Sequence, residues 1–177
     1  EVEESVAAVA SEIDIVISRQ HVLRRDWQGL HDEIAAFREA CGDAHLKAIL
    51  GTGDLKTLGD VARASLVAMM AGADFVKTST GKENVNATLP VALVMARTVR
   101  AYAQATGYRV GFKPAGGIST AKDALAYQTL MREELGRDWL EPALFRIGAS
   151  GLVGDIERQL THFATGAYSA GHRHAMA

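Results

Sequence analysis

The segment of residues 74–82, with the sequence DFVKTSTGK, places a lysine inside an apparent buried strand. Lys77 follows the apolar residues Phe75 and Val76 and precedes a run of hydroxyl side chains. Lysine is almost never fully buried unless it is paired, and burial favours the neutral amine over the ammonium form. A lysine at this position is therefore a candidate for chemistry rather than for packing.

A second lysine, Lys113, lies in a similar setting within residues 110–117, with the sequence VGFKPAGG. Like charge and burial together favour a neutral, nucleophilic amine. Such an amine attacks an aldehyde or ketone and forms a Schiff base, which accepts electrons when a carbon–carbon bond breaks. The competing interpretation is that each lysine lies at a strand end and extends its ammonium group into solvent.

The composition excludes several classes of function. A formal net charge of -2 provides no basic field for nucleic acid. The single cysteine, Cys41, excludes an internal disulfide and a cysteine-based zinc site. No apolar run approaches the roughly 18 residues that a membrane span needs, and no signal peptide is recognisable. We therefore expect a cytoplasmic protein that binds neither nucleic acid nor a membrane.

Strand-like apolar runs alternate with amphipathic helices along the chain. The pattern predicts strands at residues 12–17, 45–50, 74–80, 109–113 and 144–147, and helices at residues 27–40, 58–71, 90–106, 120–135 and 151–164. Regular alternation of strand and helix is typical of parallel βα units. This indicates an α/β protein, built either as part of a TIM (β/α)8 barrel or as an open doubly wound sheet.

The five predicted βα units cannot close an eight-stranded barrel. Residues 1–10 look like the second half of a helix, so we expect another segment of the same protein to supply three further units. We assign residues 1–166 to the C-terminal part of a single barrel and residues 167–177 to a C-terminal tail. His172 and His174 in this tail have the spacing of a metal-binding pair, but we expect no metal site.

Side chains alternate between the two faces of a strand. Applied to the predicted strands, this alternation gathers six polar side chains on one face: Asp14, Lys47, Lys77 and Lys113, with Glu12 and Arg146 deeper. Several lysines around a carboxylate would make a poor core but a suitable active site. A carboxylate, a lysine or a bridging water could carry the proton that enamine chemistry requires.

Glycine-rich loops follow the last two predicted strands, and each leads into a helix. Residues 116–117 (GG) follow one strand and residues 148–151 (GASG) follow the next. Free backbone N–H groups at a helix N-terminus bind phosphate, and barrels often place a phosphate site after their last strands. We therefore predict a phosphate site here, with added charge from Lys82; the alternative is that these are only turn residues.

Five stretches of the sequence resemble one enzyme family. They are EIDIV at residues 12–16, FVKTSTGK at 75–82, NVNAT at 84–88, GFKPAGG at 111–117 and FRIGAS at 145–150. All are similar to the 2-deoxyribose-5-phosphate aldolase family, and their sequences most resemble its animal-type branch. The resemblance runs from about residue 6 to residue 166.

The resemblance implies a class I aldolase on a TIM barrel, which is an aldehyde-lyase that uses no metal and no other cofactor. Members of the family reversibly cleave 2-deoxy-D-ribose 5-phosphate to D-glyceraldehyde 3-phosphate and acetaldehyde, in deoxyribonucleotide catabolism. The implied partners are therefore small sugar-phosphate and aldehyde substrates. A homodimer is compatible with the resemblance.

Carried over position by position, the resemblance makes Lys77 the Schiff-base lysine. Lys113 would keep Lys77 neutral, and Asp14 would work with Lys113 in a proton relay. The implied substrate-binding residues, most of them at the phosphate, are Lys47, Thr80, Lys82, Gly116, Gly117, Gly148, Ser150 and Gly151.

The sequence departs from the family pattern in places. Gly151 stands where the family often has a second hydroxyl residue, and the three βα units that precede the EIDIV strand are absent. Some members use a C-terminal tyrosine, whereas Tyr168 is the only tyrosine of this tail. Two alternatives remain: another class I or transaldolase-like lyase, and a non-catalytic sugar-phosphate-binding fragment.

Overall fold

The computed structural model describes residues 1–170 and 173. Within them, four parallel strands form one sheet in chain order, and the sheet does not close on itself. The strands are β1 (Glu12–Val16), β2 (His45–Ile49), β3 (Phe75–Lys77) and β4 (Gly111–Lys113). The expected α/β class and parallel sheet are therefore confirmed. His172 and His174, with most of the last seven residues, lie outside the described part.

Helices follow and separate the strands. They are α1 (Val2–Ala7), α2 (Arg19–Arg24), α3 (Trp27–Cys41), α4 (Leu58–Met70), α5 (Leu89–Thr106), α6 (Ala121–Leu135) and α7 (Leu152–Thr165). Single turns of 3-10 helix occur at Thr52–Asp54 and Arg137–Trp139. No helix in the described ranges is long and apolar enough to cross a membrane.

Three of the longer helices begin with the same local device. Thr57, Thr88 and Thr120 each precede a helix and accept a hydrogen bond from a backbone N–H of its first turn. Such a cap satisfies one of the otherwise unpaired N–H groups and contributes about 1 kcal/mol. These caps fix where the helices after β2, β3 and β4 begin, and hence the loops that precede them.

The two faces of the sheet have different chemistry. Ile15, Leu46, Ala48, Val76 and Phe112 point to the face covered by helices and belong to the hydrophobic core. The opposite face carries a row of polar side chains at alternate positions, including Asp14, Lys47, Lys77 and Lys113. An apolar face packed under helices and a polar opposite face follow from the period-two alternation of a strand.

The prediction of a fifth regular strand at residues 144–147 is wrong. The segment runs parallel to β4 but makes only two isolated bridges, Phe112 to Phe145 and Ala115 to Gly148. Just before it, the N–H groups of Leu144 and Phe145 both donate to the carbonyl of Glu141. That turn takes up backbone groups which a continuous ladder would need.

The third and fourth strands are also shorter than the predicted ranges 74–80 and 109–113, and helix α2 was not predicted. Thr78 and Ser79, just after β3, bond through their side chains to the carbonyl of Ala115 in the next loop, while the N–H of Thr78 still donates to the carbonyl of Lys113. Side chains of this type compete with regular backbone pairing.

Gly111 provides a test of packing within the sheet. A Cβ atom at this position would overlap the ring of Phe75, which is 1% exposed. We expect Gly111→Ala to lower the free energy of unfolding by about 1–3 kcal/mol, because a filled core tolerates an added methyl group poorly. Urea denaturation measures the change.

Gly59→Ala is the matched control, since its Cβ would meet only Thr57 Oγ1 at 3.5 Å. Alanine in a helix loses less conformational entropy on folding than glycine, so this variant should be neutral or about 0.5–1 kcal/mol more stable. Equal stability changes for the two variants would contradict the packing argument.

Candidate active site

A buried ammonium group lies on the polar face of the sheet. Lys47 is 3% exposed, and its Nζ lies 2.8 Å from Glu12 Oε2 and 3.0 Å from Asp14 Oδ2. Both carboxylates come from β1, and Asp14 pairs with Lys47 in the strand register. A lysine is tolerated at this depth because two carboxylates neutralise it and accept its hydrogen bonds.

Asp14 joins this pair to the next strand. Its second oxygen, Oδ1, lies 3.1 Å from Nζ of Lys77, whose side chain is 13% exposed. Burial alone would raise the pKa of Asp14, but hydrogen bonds from Lys47 and Lys77 outweigh it and hold that pKa below its usual range. Asp14 is thus an ionised carboxylate shared between two lysines.

Glu12 and Arg146 form the deeper end of the same cluster. Hydrogen bonds from Lys47 first, and from Arg146 second, lower the pKa of Glu12 to about 2. The guanidinium of Arg146 lies 2.7 Å from Glu12 and 4.8 Å from the centre of the Phe75 ring. The cluster is therefore closed at this end by an ion pair that covers an aromatic side chain.

Lys113 differs from the other lysines of this face. It is the register partner of Lys77 on the neighbouring strand. Within residues 1–170 and 173, no carboxylate lies within ion-pair distance of its ammonium group. Burial, and after it the charge of Lys77, lower the pKa of Lys113 below the ordinary lysine value. The polar face thus contains one lysine whose charge is opposed rather than supported by its surroundings.

A cleft of about 510 Å³ opens above these lysines, at the carboxyl ends of β3 and β4. Its walls include nine of the predicted site residues: Lys77, Thr80, Lys82, Lys113, Gly116, Gly117, Gly148, Ser150 and Gly151. Asp14 and Lys47 lie outside this wall, and the contact between Asp14 and Lys77 connects them to the cleft. The structure therefore brings the predicted amines and the predicted phosphate loops to one place.

Two buried hydroxyls join the loops after β3 and β4. Thr78 and Ser79 both donate to the carbonyl of Ala115, at 3.2 and 2.6 Å, and the N–H of Ala115 donates back to Thr78. Neither side chain is solvent-exposed. These bonds hold the two lysine-bearing strand ends at a fixed separation.

Among the described residues, the glycine-rich loops contain N–H groups that are hydrogen-bonded within the protein and others that are not. Gly116 donates its N–H to the carbonyl of Gly148, and Gly148 donates to Pro114, so neither N–H is available to a ligand. No such bond uses the N–H of Gly117, Ser150 or Gly151 in the described part of the chain.

The two adjoining glycines share a conformation but differ in the space around them, since a Cβ atom at Gly117 would meet nothing within 4 Å. Gly116 and Gly117 have φ values of +82° and +78°, which favour glycine. At Gly116 a Cβ atom would lie 2.7 Å from Asn86. The N–H groups of Gly117, Ser150 and Gly151 can therefore bind an anion and form a glycine-rich cradle. Gly116 and Gly148 give this cradle its shape.

Sequence reasoning missed Glu83. Its carboxylate accepts hydrogen bonds from the backbone N–H groups of Thr80, Gly81 and Lys82 and from the Thr80 hydroxyl. The only signal in the sequence is an acidic residue two positions after a glycine in a polar loop, which also describes many exposed loops.

No group of three or more His, Cys, Asp or Glu side chains in the described ranges could hold a metal ion. The cleft instead presents the neighbouring lysines Lys77 and Lys113, a third lysine at Lys82, one ionised carboxylate behind the first two, and N–H groups with no backbone partner in the described residues. This arrangement can form an imine with a carbonyl compound, move a proton between oxygen and nitrogen, and bind an anion at the far end.

Comparison with known proteins agrees with this chemistry. Residues 1–152 match the DeoC/LacD family of aldolases. The human deoxyribose-phosphate aldolase is 61% identical over 163 residues, which cover 92% of this chain and 51% of the human protein. The enzyme of the same name from Agrobacterium fabrum is 43% identical over 157 residues, covering 88% of this chain and 59% of its own.

Solved structures match the fold. A crystal structure of a putative deoxyribose-phosphate aldolase from Coccidioides immitis is 26% identical with a TM-score of 0.72, and the match covers 88% of this chain and 56% of that one. A second, from Toxoplasma gondii, is 20% identical with a TM-score of 0.80 and covers 94% and 65% of the two chains.

The chain spans about half the length of the animal relatives that it matches. The matched family region nevertheless includes the strands and loops that carry the lysines, the carboxylate and the glycine-rich cradle. On this evidence the chain belongs to the DeoC/LacD family of aldolases.

Proposed function

We propose that the protein containing this chain is a deoxyribose-phosphate aldolase of the Schiff-base class. It reversibly cleaves 2-deoxy-D-ribose 5-phosphate to D-glyceraldehyde 3-phosphate and acetaldehyde, in cytoplasmic deoxyribonucleotide catabolism. The observation that carries the proposal is that Lys77 and Lys113, register partners on adjacent strands, line one cleft with a glycine-rich anion cradle. The names of the relatives support the same reaction.

Lys77 is the proposed nucleophile. Its neutral amine attacks the C1 aldehyde of the open-chain sugar, and loss of water gives an iminium ion. A base removes the C3 hydroxyl proton while the bond between C2 and C3 breaks, which releases D-glyceraldehyde 3-phosphate. The electron pair of that bond forms an enamine on Lys77. Protonation at C2 and hydrolysis then release acetaldehyde and restore the amine.

Lys113 and Asp14 are the proposed proton carriers. Asp14 contacts Lys77 directly at 3.1 Å, and the lowered pKa of Lys113 brings its proton within easier reach of transfer. Lys47 supports Asp14 from the buried side and, in this proposal, contributes to the field at a substrate oxygen.

The phosphate is proposed to bind at the far end of the cleft. Among residues 1–170 and 173, no backbone group pairs with the N–H groups of Gly117, Ser150 and Gly151, and the last two precede the N-terminus of α7. A helix N-terminus carries partial positive charge and favours an anion. Lys82, which lines the same cleft, adds a full positive charge.

The remaining strands of the barrel are proposed to come from another segment of the same protein. The open sheet has a free edge at β1, and the matched relatives are considerably longer than this chain. One solved structure, that of the deoxyribose phosphate aldolase from Aeropyrum pernix, is described as tetrameric and is 21% identical to this chain. For this protein we propose self-association as a homodimer.

A non-catalytic role in sugar-phosphate binding is the second candidate, favoured only by the open sheet. Borohydride trapping separates the two proposals. With acetaldehyde present, reduction should leave an ethyl group on Lys77 of the intact protein, identified by peptide mass spectrometry. The reaction requires a reactive amine, which a binding protein does not need.

Lys77→Arg should abolish the adduct and lower the rate of cleavage by about 10⁴-fold or more, because it keeps the charge but removes the nucleophile. Lys122→Arg, on α6 and outside the cleft, is the matched control and should label as wild type does. An adduct on Lys113 instead of Lys77, or no adduct in intact protein, would refute the assignment.

Lys113→Leu tests the coupling between the two lysines. The charge of Lys77 contributes to the lowered pKa of Lys113, so the two ammonium groups repel each other, and Lys113→Leu removes a positive charge beside the proposed nucleophile. The pH at which trapping by acetaldehyde reaches half its maximum should therefore move upward, and turnover at neutral pH should fall. Trapping measured across a pH series checks this, and an unchanged profile would exclude the coupling.

A further inference from the structure

The loop between Lys77 and Asn86 contains an internal anion. Glu83 Oε2 accepts hydrogen bonds from the N–H groups of Thr80, Gly81 and Lys82, each at 3.1 Å, and from the Thr80 hydroxyl at 2.9 Å. Glu83 Oε1 adds a further bond from Thr80 N–H at 3.0 Å. Consecutive N–H groups that converge in this way form a concave anion site.

This anion site is therefore already filled by the protein itself. Burial alone would raise the pKa of Glu83, but the N–H groups of Thr80 and Gly81 outweigh it and hold that pKa below its usual range. The carboxylate is consequently ionised at neutral pH. The loop turns through Gly81 at φ +93°, a conformation that only the absence of a side chain makes easy.

The backbone around Glu83 is also held by hydrogen bonds. Asn86 Nδ2 donates to the carbonyl of Glu83 at 2.8 Å, and the N–H of Ala87 donates to Ala115 at 3.3 Å. The side chain of Asn86 also lies against Gly116, where no Cβ could be accommodated. The filled loop is thus docked onto the neighbouring glycine loop of the cleft.

The filled loop and the unused N–H groups lie in one cleft. Thr80, Gly81 and Lys82 line the same cavity as Gly117 and Ser150. If the N–H groups of the loop were free, two anion sites would compete within this cleft. With Glu83 in place, a phosphate is left with the second cradle and with the ammonium group of Lys82.

We propose that Glu83 is a positioning residue that determines where substrate phosphate binds. It closes the Thr80–Lys82 loop as an anion site and fixes the backbone from which Lys82 extends toward the cradle of Gly117, Ser150 and Gly151. The inference rests on the proposed function, because it assumes a phosphorylated ligand in this cleft.

Two substitutions separate the shape of the loop from its charge. Nearly all of the hydrogen bonds end on a single oxygen, Oε2, and Glu83→Gln can supply one neutral oxygen in the same place. Glu83→Ala supplies none and removes the carboxylate acceptor from the N–H groups of Thr80, Gly81 and Lys82. Glu133→Gln, at an exposed residue of α6 that pairs with Arg132, is the matched control.

Binding of inorganic phosphate to the intact protein, measured by calorimetry, is the first readout. Glu83→Ala should raise the Kd about tenfold, because Lys82 loses its fixed position, whereas Glu83→Gln should stay within about threefold of wild type. The KM for 2-deoxy-D-ribose 5-phosphate should rise about tenfold relative to the KM for 2-deoxy-D-ribose in Glu83→Ala. Glu133→Gln should match wild type in both measurements.

Three outcomes would overturn the proposal. Tighter phosphate binding in Glu83→Ala would show that Glu83 only blocks an anion site. Equal losses with phosphorylated and unphosphorylated sugar would indicate general damage to the fold, and equal losses in Glu83→Gln and Glu83→Ala would assign the effect to charge. Trapping of acetaldehyde at Lys77 reports separately on the proposed function, since acetaldehyde carries no phosphate.

Discussion

The polar face of the sheet depends on how the ammonium group of Lys47 is neutralised. Transfer of such a group from water costs several kcal/mol, and at 3% exposure almost no water remains to solvate it. Glu12 and Asp14 offset that cost at 2.8 and 3.0 Å. Because they stand two residues apart on β1, both lie on the same face of the sheet as the β2 lysine, and a one-residue slip of register would turn them away from it. The ion pairs therefore also select the strand pairing.

This neutralisation leaves the rest of the face short of negative charge. One oxygen of Asp14 serves Lys47 and the other serves Lys77, while Glu12 is shared between Lys47 and Arg146. In the described part of the chain, no carboxylate remains for Lys113. Burial and the charge of Lys77 then lower the pKa of Lys113. Because the buried ion pairs of Lys47 use these carboxylates, Lys113 lines the cleft without a carboxylate partner in the described residues.

Strand periodicity was sufficient to predict which polar side chains share a face, because the alternation is imposed by backbone geometry. It did not predict that residues 144–147 would form only isolated bridges, since a ladder depends on competing turns such as the one at Glu141. The glycine-rich loops after the last strands predicted a phosphate site. The structure shows that the N–H groups of Gly116 and Gly148 instead donate to carbonyls within the protein. Glu83 was missed because most of its hydrogen-bond partners are backbone N–H groups, which no residue pattern identifies.

Hydrogen bonds connect the lysine end of the cleft to its glycine-rich end. The carbonyl of Ala115 accepts both Thr78 and Ser79, and the adjoining Gly116 N–H reaches the loop that carries Ser150. Since Ala115 lies two residues after Lys113, a shift of the glycine cradle must also move the strand end that holds this amine. An anion bound at the cradle would therefore stabilise the arrangement of the lysines. In the proposed reaction, binding energy from the phosphate would in this way be used at the reacting carbon.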